Sequence, residues 1–180
     1  MFATGKRGTG SLLAPFSQDP ARSCEITKLA PLLPHLPPPV TLVGNPQDAA
    51  LAAELVKISP VAINNLCGKT TLAEVLELVN SCEVVCGADS GIANVGIISG
   101  KYTVAFSGQA DRRFMCIPED FPAHGFVKPL KITSRWQCPY SGCTYRCRFA
   151  GNKVYPCVAE ICYLDAAAGL EKLKSDATGE

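Results

Sequence analysis

A short polar turn between two apolar stretches is the part of the sequence best suited to bind a charged ligand. Residues 83–100 begin apolar, break at Gly87, pass through Asp89-Ser90-Gly91 and then become apolar again at roughly helical spacing. This order predicts a strand, a tight turn and the start of a helix that Asp89 or Ser90 can cap. Free N–H groups and the positive dipole end at a helix N-terminus attract anions. We therefore expect this turn to hold the phosphate end of a nucleotide-type ligand.

The elements around this turn alternate between strands and helices. Apolar segments predict strands at 11–16, 40–44, 61–66, 83–88 and 102–106, with a weaker one at 126–133. Helices are predicted near 25–33, 45–59, 71–80 and 164–174. Such alternation is typical of an open parallel α/β sheet with helices on both faces, a Rossmann-like fold. Ligands of such sheets bind at the carboxyl ends of the strands, where the Asp89 turn is expected to lie.

Two of these helices carry clear start signals. Asn45, Pro46 and Asp48 form one, and Thr71 with Glu74 forms a capping box for the other. The apolar spacing predicts buried faces made by these residues: Leu51, Leu55 and Ile58 in the first helix, and Leu72, Val75, Leu76 and Val79 in the second. The five prolines of 31–39 predict a stiff connector.

Bulk composition excludes several classes of protein. The chain has 180 residues, 47% hydrophobic, with a net charge of +1. This indicates one globular domain, expected at 11–174 between flexible ends at 1–10 and 175–180, and no nucleic-acid partner. No apolar run reaches the roughly 20 residues that span a bilayer. We expect a cytoplasmic protein with at most peripheral contact at the inner face of the membrane.

Familiar catalytic motifs are missing or incomplete. The run Cys67-Gly68-Lys69-Thr70-Thr71 resembles the end of a phosphate-binding P-loop, but position 63 is Ile63 where the motif needs glycine. No Gly-x-Gly-x-x-Gly follows a predicted strand, and no Gly-x-Ser-x-Gly elbow is present. The two histidines, His35 and His124, lie in loop-like contexts that favour loop residues over catalytic bases.

The ten cysteines fall into two groups. Five are scattered in apolar settings that suit small packing side chains: Cys24, Cys67, Cys82, Cys86 and Cys116. Five more cluster within 138–162: Cys138, Cys143, Cys147, Cys157 and Cys162. The cluster is compatible with reduced packing thiols, with a structural zinc held by Cys138, Cys143, Cys147 and Cys157, and with disulfides. Reduced packing thiols are the favoured interpretation, and disulfides are disfavoured in a cytosolic protein.

Four blocks of sequence together resemble a known family. Residues 40–48, 66–72, 89–91 and 104–108, in this order and spacing, are similar to the C-terminal half of family 9 glycosyltransferases, the lipopolysaccharide heptosyltransferases and their relatives. The resemblance covers about residues 11–173 of this chain but about half of a full-length enzyme, which has two Rossmann-like domains of the GT-B type. It implies that this chain binds the sugar nucleotide donor and needs no cofactor.

The resemblance also implies roles for individual residues. Asp89, Ser90 and Gly91 would meet the diphosphate and sugar of the donor, and Asp48 would meet the ribose. Lys69, Thr70 and Thr71 would border the base, and Arg22 would replace the basic residue that meets the phosphates after the first strand. The family pattern has histidine where this chain has Asn94, which donates a hydrogen bond but carries no charge.

Two functions follow as alternatives. In the first, the chain is the donor-binding half of a glycosyltransferase that moves a sugar from a nucleotide-diphosphate donor to a lipopolysaccharide or other glycan acceptor. The acceptor site and catalytic base of the family lie in the N-terminal domain, so a separate chain would have to supply them, and no residue here is assigned as catalytic. In the second, the chain is a truncated, non-catalytic module that binds metal or another protein through its cysteine-rich segment.

Overall fold

Six parallel strands form the centre of the fold. The computed structural model describes residues 8–17, 23–108, 130–133, 157 and 160–178. In this part of the chain the strand order is β3-β2-β1-β4-β5-β6, and every neighbouring pair is parallel. The strands are β1 (Ser11–Ala14), β2 (Val40–Leu42), β3 (Ile63–Asn65), β4 (Val84–Ala88), β5 (Tyr102–Ser107) and β6 (Leu130–Thr133).

Helices cover both faces of this sheet, as the sequence predicts. They are α1 (Ile26–Leu29), α2 (Ala49–Ile58), α3 (Leu72–Ser81), α4 (Gly91–Ile98) and α5 (Asp165–Thr178), with 3₁₀ helices at Ala30–His35 and Pro46–Asp48. Leu13 of β1 packs in the core with α1, α2 and α5, whereas its neighbour Leu12 packs with α3. Successive strand residues face opposite sides, so this split shows a three-layer α/β/α arrangement. The expected domain limits stay a prediction.

The strand order reverses between β1 and β4. From β1 the chain builds outward through β2 and β3, and it then returns to add β4, β5 and β6 on the other side of β1. Open α/β sheets bind ligands outside the carboxyl ends of the strands at such a reversal. We call the border of the sheet formed by these strand ends the carboxyl edge. Helices α2, α3 and α4 all follow a strand directly and therefore begin there.

Two glycines let the backbone pack tightly around this reversal. A Cβ atom on Gly87 of β4 would lie 2.2 Å from the carbonyl oxygen of Ala14, its partner in β1. A Cβ atom on Gly96 of α4 would lie 2.9 Å from Val85 and 2.8 Å from the hydroxyl of Thr103. Side chains at either position would push β1 and β4 apart or lift α4 from the sheet.

The proline-rich segment is not the connector that its composition predicts. Residues Ala30–His35 form a 3₁₀ helix with Pro34 inside it. Leu29, Leu32, Leu33 and Leu36 are buried between exposed prolines. The interpretation as a stiff connector is therefore wrong for this stretch. Burial of leucines at helical spacing favours the helical turns, and the i→i+3 pattern of a short 3₁₀ helix tolerates the missing proline donors.

The predicted buried faces of α2 and α3 are only partly correct. Val75 and Val79 of α3 are buried, as is Leu55 of α2. Leu51 and Ile58 are 47% and 41% exposed, and Leu72 and Leu76 of α3 are 70% and 37% exposed. Helix α2 packs on β3, the edge strand, and on α1. At this border of the sheet only a narrow stripe of α2 finds a partner, so Leu51 and Ile58 face solvent.

Candidate functional site

Most of the predicted site residues meet at the carboxyl edge. Asp89, Ser90 and Gly91 follow β4 at the strand reversal. Asp48 follows β2, and the segment 69–71 follows β3, farther along the same edge. Asn94 lies in the first turns of α4, and its N–H donates to the carbonyl oxygen of Ser90 at 3.1 Å. Arg22 lies outside the described residues.

The turn after β4 is held firmly by its backbone. Asp89 is 4% exposed, and its N–H donates to the carbonyl oxygen of Phe106 in β5 at 3.0 Å. Ser90 has an extended backbone, with φ −147° and ψ 177°, and is the residue from which α4 begins. This confirms the predicted order of strand, turn and helix. The buried Asp89 anchors the turn, while Ser90 and Gly91 lie at its outer side.

The N-terminus of α4 is open. The hydroxyl of Ser90 accepts no capping hydrogen bond, and the first turn of α4 holds no acidic residue. Of the two predicted caps, Asp89 or Ser90, the one by Ser90 is therefore wrong, and the one by Asp89 stays a prediction. A Cβ atom on Gly91 would meet no atom of the described residues within 4 Å. The described residues thus leave space beside the first turn of α4, where an anionic ligand could meet the amides of the helix start.

The N-terminus of α3 is closed by its own side chains. The carboxylate of Glu74 accepts from the N–H of Thr71 at 2.7 Å and from its hydroxyl at 2.8 Å, and the Thr71 hydroxyl accepts from the N–H of Glu74 at 3.3 Å. This confirms the predicted capping box. The hydrogen bonds from the backbone and then the side chain of Thr71 lower the pKa of Glu74 below its usual 4.5.

The start of the 3₁₀ helix Pro46–Asp48, which leads into α2, is closed in the same way. The carboxylate of Asp48 accepts from the N–H of Asn45 at 2.8 Å. Asp48 is the residue that the family resemblance assigns to the ribose of the donor. In the structure one of its oxygens already has a partner within its own loop, so any ribose contact falls to its remaining acceptor positions.

The loops after β2 and β3 are tied to each other. The N–H of Gly68 donates to the carbonyl oxygen of Gly44 at 2.9 Å, and the thiol of Cys67 donates to that of Asn45 at 3.4 Å. The ammonium group of Lys69 donates to the carbonyl oxygen of Asn65 at 3.1 Å. Lys69 and Thr71 thus both have local partners, and Thr70 between them is half-buried.

The described early cysteines behave as packing residues, as predicted. Cys24, Cys67, Cys82 and Cys86 are buried and free, and Cys116 lies outside the described residues. Burial raises the pKa of Cys86 to about 12. The pKa of Cys67 is raised first by burial and then by the charge of Asp48, against an opposing effect of Lys69. These thiols stay protonated at neutral pH, which suits packing rather than nucleophilic chemistry.

Of the five late cysteines, Cys157 and Cys162 lie within the described residues. Cys157 is 4% exposed and Cys162 is intermediate. Cys138, Cys143 and Cys147 lie outside the described residues. Across 8–17, 23–108, 130–133, 157 and 160–178, no three side chains are grouped as a metal site. The predicted zinc site therefore stays a prediction.

Sequence patterns miss a second group of residues beside this site. The backbone of Ser17 and the hydroxyl of Ser23 are hydrogen-bonded to each other. The hydroxyl of Tyr163 accepts a hydrogen bond from the N–H of Glu25 at 2.9 Å. The tyrosine and Glu25 are 138 residues apart in the chain. The only sequence signal is a tyrosine in an apolar setting before a helix, which is typical of ordinary core residues.

No helix within the described ranges is long and apolar enough to cross a membrane. This agrees with the absence of a long apolar run in the sequence.

Comparison with known proteins confirms the family resemblance. Residues 38–116 match the family model of glycosyltransferase family 9 (heptosyltransferase). This segment includes the β2, β3 and β4 loops and the whole of α4. No curated protein matches the chain significantly.

Solved heptosyltransferases share the fold. ADP-heptose lps heptosyltransferase II of E. coli has a TM-score of 0.61 at 18% identity over 94% of this chain and 48% of its own. The E. coli heptosyltransferase WaaC with ADP gives 0.62 at 13% identity, over 92% and 44%. The dodecameric iron-containing heptosyltransferase TibC of enterotoxigenic E. coli, in complex with ADP-D-beta-D-heptose, gives 0.62 at 14% identity, over 97% and 47%. This chain thus spans about half the length of the solved structures it matches.

Proposed function

From the confirmed resemblance to glycosyltransferase family 9, we propose that this chain binds a nucleotide-diphosphate sugar as the donor half of a glycosyltransferase. The carboxyl edge near the β1–β4 reversal is the proposed donor site. The diphosphate lies at the N-terminus of α4, where Ser90 and Gly91 meet it through backbone N–H groups. Asp48, Lys69, Thr70 and Thr71 line the farther part of the same edge, where the nucleoside extends.

One observation carries this proposal. In the described part of the carboxyl edge, the 3₁₀ helix Pro46–Asp48 that leads into α2 and the helix α3 each carry an acidic residue in the first turn, Asp48 and Glu74. In α4 the N-cap Ser90 makes no side-chain cap and the first turn has no acidic residue; buried Asp89 precedes the N-cap, and a Cβ atom on Gly91 would meet no described atom within 4 Å. The positive end of one helix is therefore available for an external anion, and it lies at the strand reversal.

The proposed donor class is supported by the ligands of similar proteins. One neighbouring structure holds ADP and another holds ADP-D-beta-D-heptose. A nucleoside diphosphate linked to a heptose fits a site with one open helix N-terminus and a surrounding set of backbone groups. The proposed acceptor is a lipopolysaccharide or another glycan at the membrane surface.

The proposed reaction is a direct displacement at the anomeric carbon of the donor. An acceptor hydroxyl forms the new C–O bond while the bond to the diphosphate breaks and the diphosphate leaves with the electron pair. The α4 N-terminus stabilises the negative charge on the leaving diphosphate, and Asn94 donates a hydrogen bond without adding charge. The acceptor proton goes to a base that the other half of the enzyme supplies.

A paired substitution at two helix N-termini tests this proposal. Gly91→Asp adds a carboxylate to the first turn of α4, which suits the helix dipole but repels a diphosphate. We expect calorimetric titration to show one of ADP, GDP and UDP binding to the wild-type chain. Gly91→Asp should weaken that binding at least about tenfold without lowering the thermal midpoint of unfolding.

The matched control is Leu72→Asp, which places the same group at the first position of α3. Leu72 is 70% exposed, so the change is tolerated, and the α3 N-terminus already has its cap. Binding should stay within about twofold of the wild type. Failure of the folded wild-type chain to bind any of the three nucleotides would overturn the donor site. Equal losses in both variants would assign the effect to overall charge instead.

A metal-binding module remains the second proposed function. Its support is the cluster of five cysteines in residues 138–162, of which Cys157 is buried. A structural zinc held by Cys138, Cys143, Cys147 and Cys157 would supply folding energy and no chemistry. Elemental analysis of the purified chain decides this point. About one zinc per chain together with absent nucleotide binding favours the module, and a metal-free chain excludes it.

A further inference from the structure

The residues that follow β1 are hydrogen-bonded to the residues that precede α1, so the two ends of the β1 loop lie close together. The N–H of Ser17 donates to the hydroxyl of Ser23 at 2.9 Å, and that hydroxyl donates back to the carbonyl oxygen of Ser17 at 2.9 Å. The N–H of Cys24 donates to the carbonyl oxygen of Pro15 at 2.7 Å. We call Pro15–Ser17 together with Ser23–Glu25 the neck. It holds the two ends of the β1 loop together at the carboxyl edge.

The neck lies beside the proposed anion site. Ala14, the last residue of β1, pairs with Gly87 of β4, so Pro15 continues next to the end of β4 and the Asp89 turn. On its other side, the ring of Phe16 lies 3.1 Å from where a Cβ atom on Gly44 would be. The neck therefore fills the space between the β2 loop and the β4 turn, and its position sets the width of the site.

A buried tyrosine from the end of the chain holds this neck. Tyr163 is 2% exposed, and its hydroxyl accepts the N–H of Glu25 at 2.9 Å. Its ring centroid lies 4.6 Å from that of Phe106, at a tilt of 53°. Phe106 in turn accepts the N–H of Asp89 through its carbonyl oxygen. One side chain thus contacts the neck directly and also packs on the residue that anchors the turn before α4.

The hydroxyl of Tyr163 does more than fill space. Burial raises the pKa of this phenol far above its usual value, so the group stays protonated. A phenylalanine would provide the same contact with Phe106 without the cost of burying a polar group. The specific gain from the hydroxyl is an acceptor for the Glu25 amide, which would otherwise be a partly buried donor in need of a partner.

We propose that Tyr163 is a positioning residue for the proposed donor site, which fixes the neck against the Asp89 turn and so keeps the end of β1 at a set distance from the α4 N-terminus. This inference rests on the proposed function. It assigns a role in binding to a residue that lies far from the family motifs in sequence. The role concerns the diphosphate part of the ligand, because the neck lies next to the β4 turn rather than the β3 loop.

The test compares two ligands on three variants. Each chain is titrated with the nucleoside diphosphate that the wild type binds and with the corresponding nucleoside. Tyr163→Phe removes only the hydroxyl and should raise the dissociation constant for the diphosphate about fivefold while leaving that for the nucleoside unchanged. Ser23→Ala removes the hydroxyl that joins the two ends of the neck through Ser17, and it should have the same selective effect. The test therefore does not depend on folding of the tyrosine variant.

The matched control is Tyr102→Phe. Tyr102 is also 2% exposed, but it begins β5 at the opposite border of the sheet. It should change the two dissociation constants by the same factor. Hydrogen exchange adds a readout without ligand, because Tyr163→Phe should speed exchange of amides in the neck and leave those of α3 unchanged.

The outcomes separate this inference from the proposed function. If the wild-type chain binds no nucleoside diphosphate, the proposed function and this inference both fail. If the wild type binds but Tyr163→Phe and Ser23→Ala leave the ratio of the two dissociation constants unchanged, the donor site stands and the positioning role is wrong. A loss that is equal for both ligands assigns Tyr163 to general stability and also overturns the role.

Discussion

The carboxyl edge of the sheet has two halves that are built differently. The loops after β2 and β3, which we call the closed half, bond to each other and cap their helices with Asp48 and Glu74. The loops after β1 and β4, which we call the open half, flank the strand reversal, and the β4 loop leads to α4. There Ser90 makes no side-chain cap, and a Cβ atom on Gly91 would meet no described atom within 4 Å. The closed half thus satisfies its helix starts with its own carboxylates, whereas the open half has the helix start that we propose for the diphosphate.

This difference is the reason for placing the proposed diphosphate at the open half. Helix starts are found throughout such sheets, so a helix start alone indicates little about binding. A start that is already neutralised by a carboxylate disfavours a second negative group. The open half combines the strand reversal with a helix whose N-cap serine makes no side-chain cap. Close packing at Gly87 fixes its backbone on the β4 side, and the hydroxyls of Ser23 and Tyr163 fix it on the β1 side. Its proposed function therefore depends on its glycines and on these hydroxyls, and the closed half depends on its caps.

The largest expected effect follows from a pair of glycines in the open half. In Gly87→Ala the new methyl group would lie 2.2 Å from the carbonyl oxygen of Ala14, so β1 and β4 must separate. We expect a loss of at least about 3 kcal/mol in the free energy of unfolding, measured by urea denaturation. Gly91→Ala, which meets no described atom within 4 Å, should leave stability unchanged or raise it slightly.

The two alanine variants also separate packing from binding. Gly91→Ala should weaken nucleotide binding despite its normal stability, because the methyl group occupies the space at the start of α4. If Gly91→Ala binds as well as the wild type, the ligand does not approach this helix closely. The difference between the two halves would then have no role in nucleotide binding.

A smaller effect is expected from the cap of the closed half. Thr71→Ala removes the hydroxyl that accepts the Glu74 amide and should lower the free energy of unfolding by about 1 kcal/mol. Diphosphate binding should change much less than in Gly91→Asp, since α3 provides no open amides. Urea denaturation and calorimetric titration on the same samples check both parts. A tenfold loss of affinity for the nucleoside diphosphate in Thr71→Ala, without a loss for the corresponding nucleoside, would place the anion at the closed half instead.

Local sequence signals predicted the closed half better than the open half. The Thr71–Glu74 capping box depends on residues three positions apart, so its pattern is visible in the sequence. The strand Val84–Ala88 was also predictable, since a strand buried on both faces is a continuous apolar run. The absence of a cap at Ser90 was not predictable, because serine caps many helices at this position. Whether it does so depends on the orientation of its side chain, which the sequence does not show.

Features that depend on distant parts of the chain were missed. The exposure of Leu72 depends on which part of α3 finds a packing partner, not on the helical spacing that groups it with Val75. The 3₁₀ helix Ala30–His35 forms because burial of its leucines outweighs the proline content. The hydrogen bond between Tyr163 and Glu25 joins positions 138 residues apart, which no local pattern reveals. Tertiary contacts decide such cases over intrinsic preferences.

The smallest effect is a pH dependence that belongs to the closed half alone. Hydrogen bonds from Thr71 hold the pKa of Glu74 below 4.5 in the folded chain, whereas the unfolded chain has the usual value. The ionised carboxylate therefore contributes stability above about pH 4.5, and this contribution is lost as the pH falls through the folded pKa. In Glu74→Gln, the urea midpoint should fall less between about pH 6.5 and about pH 3 than in the wild type. Glu77→Gln, which removes a carboxylate of the same helix outside the capping box, is the control and should retain the wild-type slope. An equal flattening in both variants would assign the pH dependence to the overall charge of α3, and the cap would then owe its stability to the neutral hydrogen bonds of Thr71.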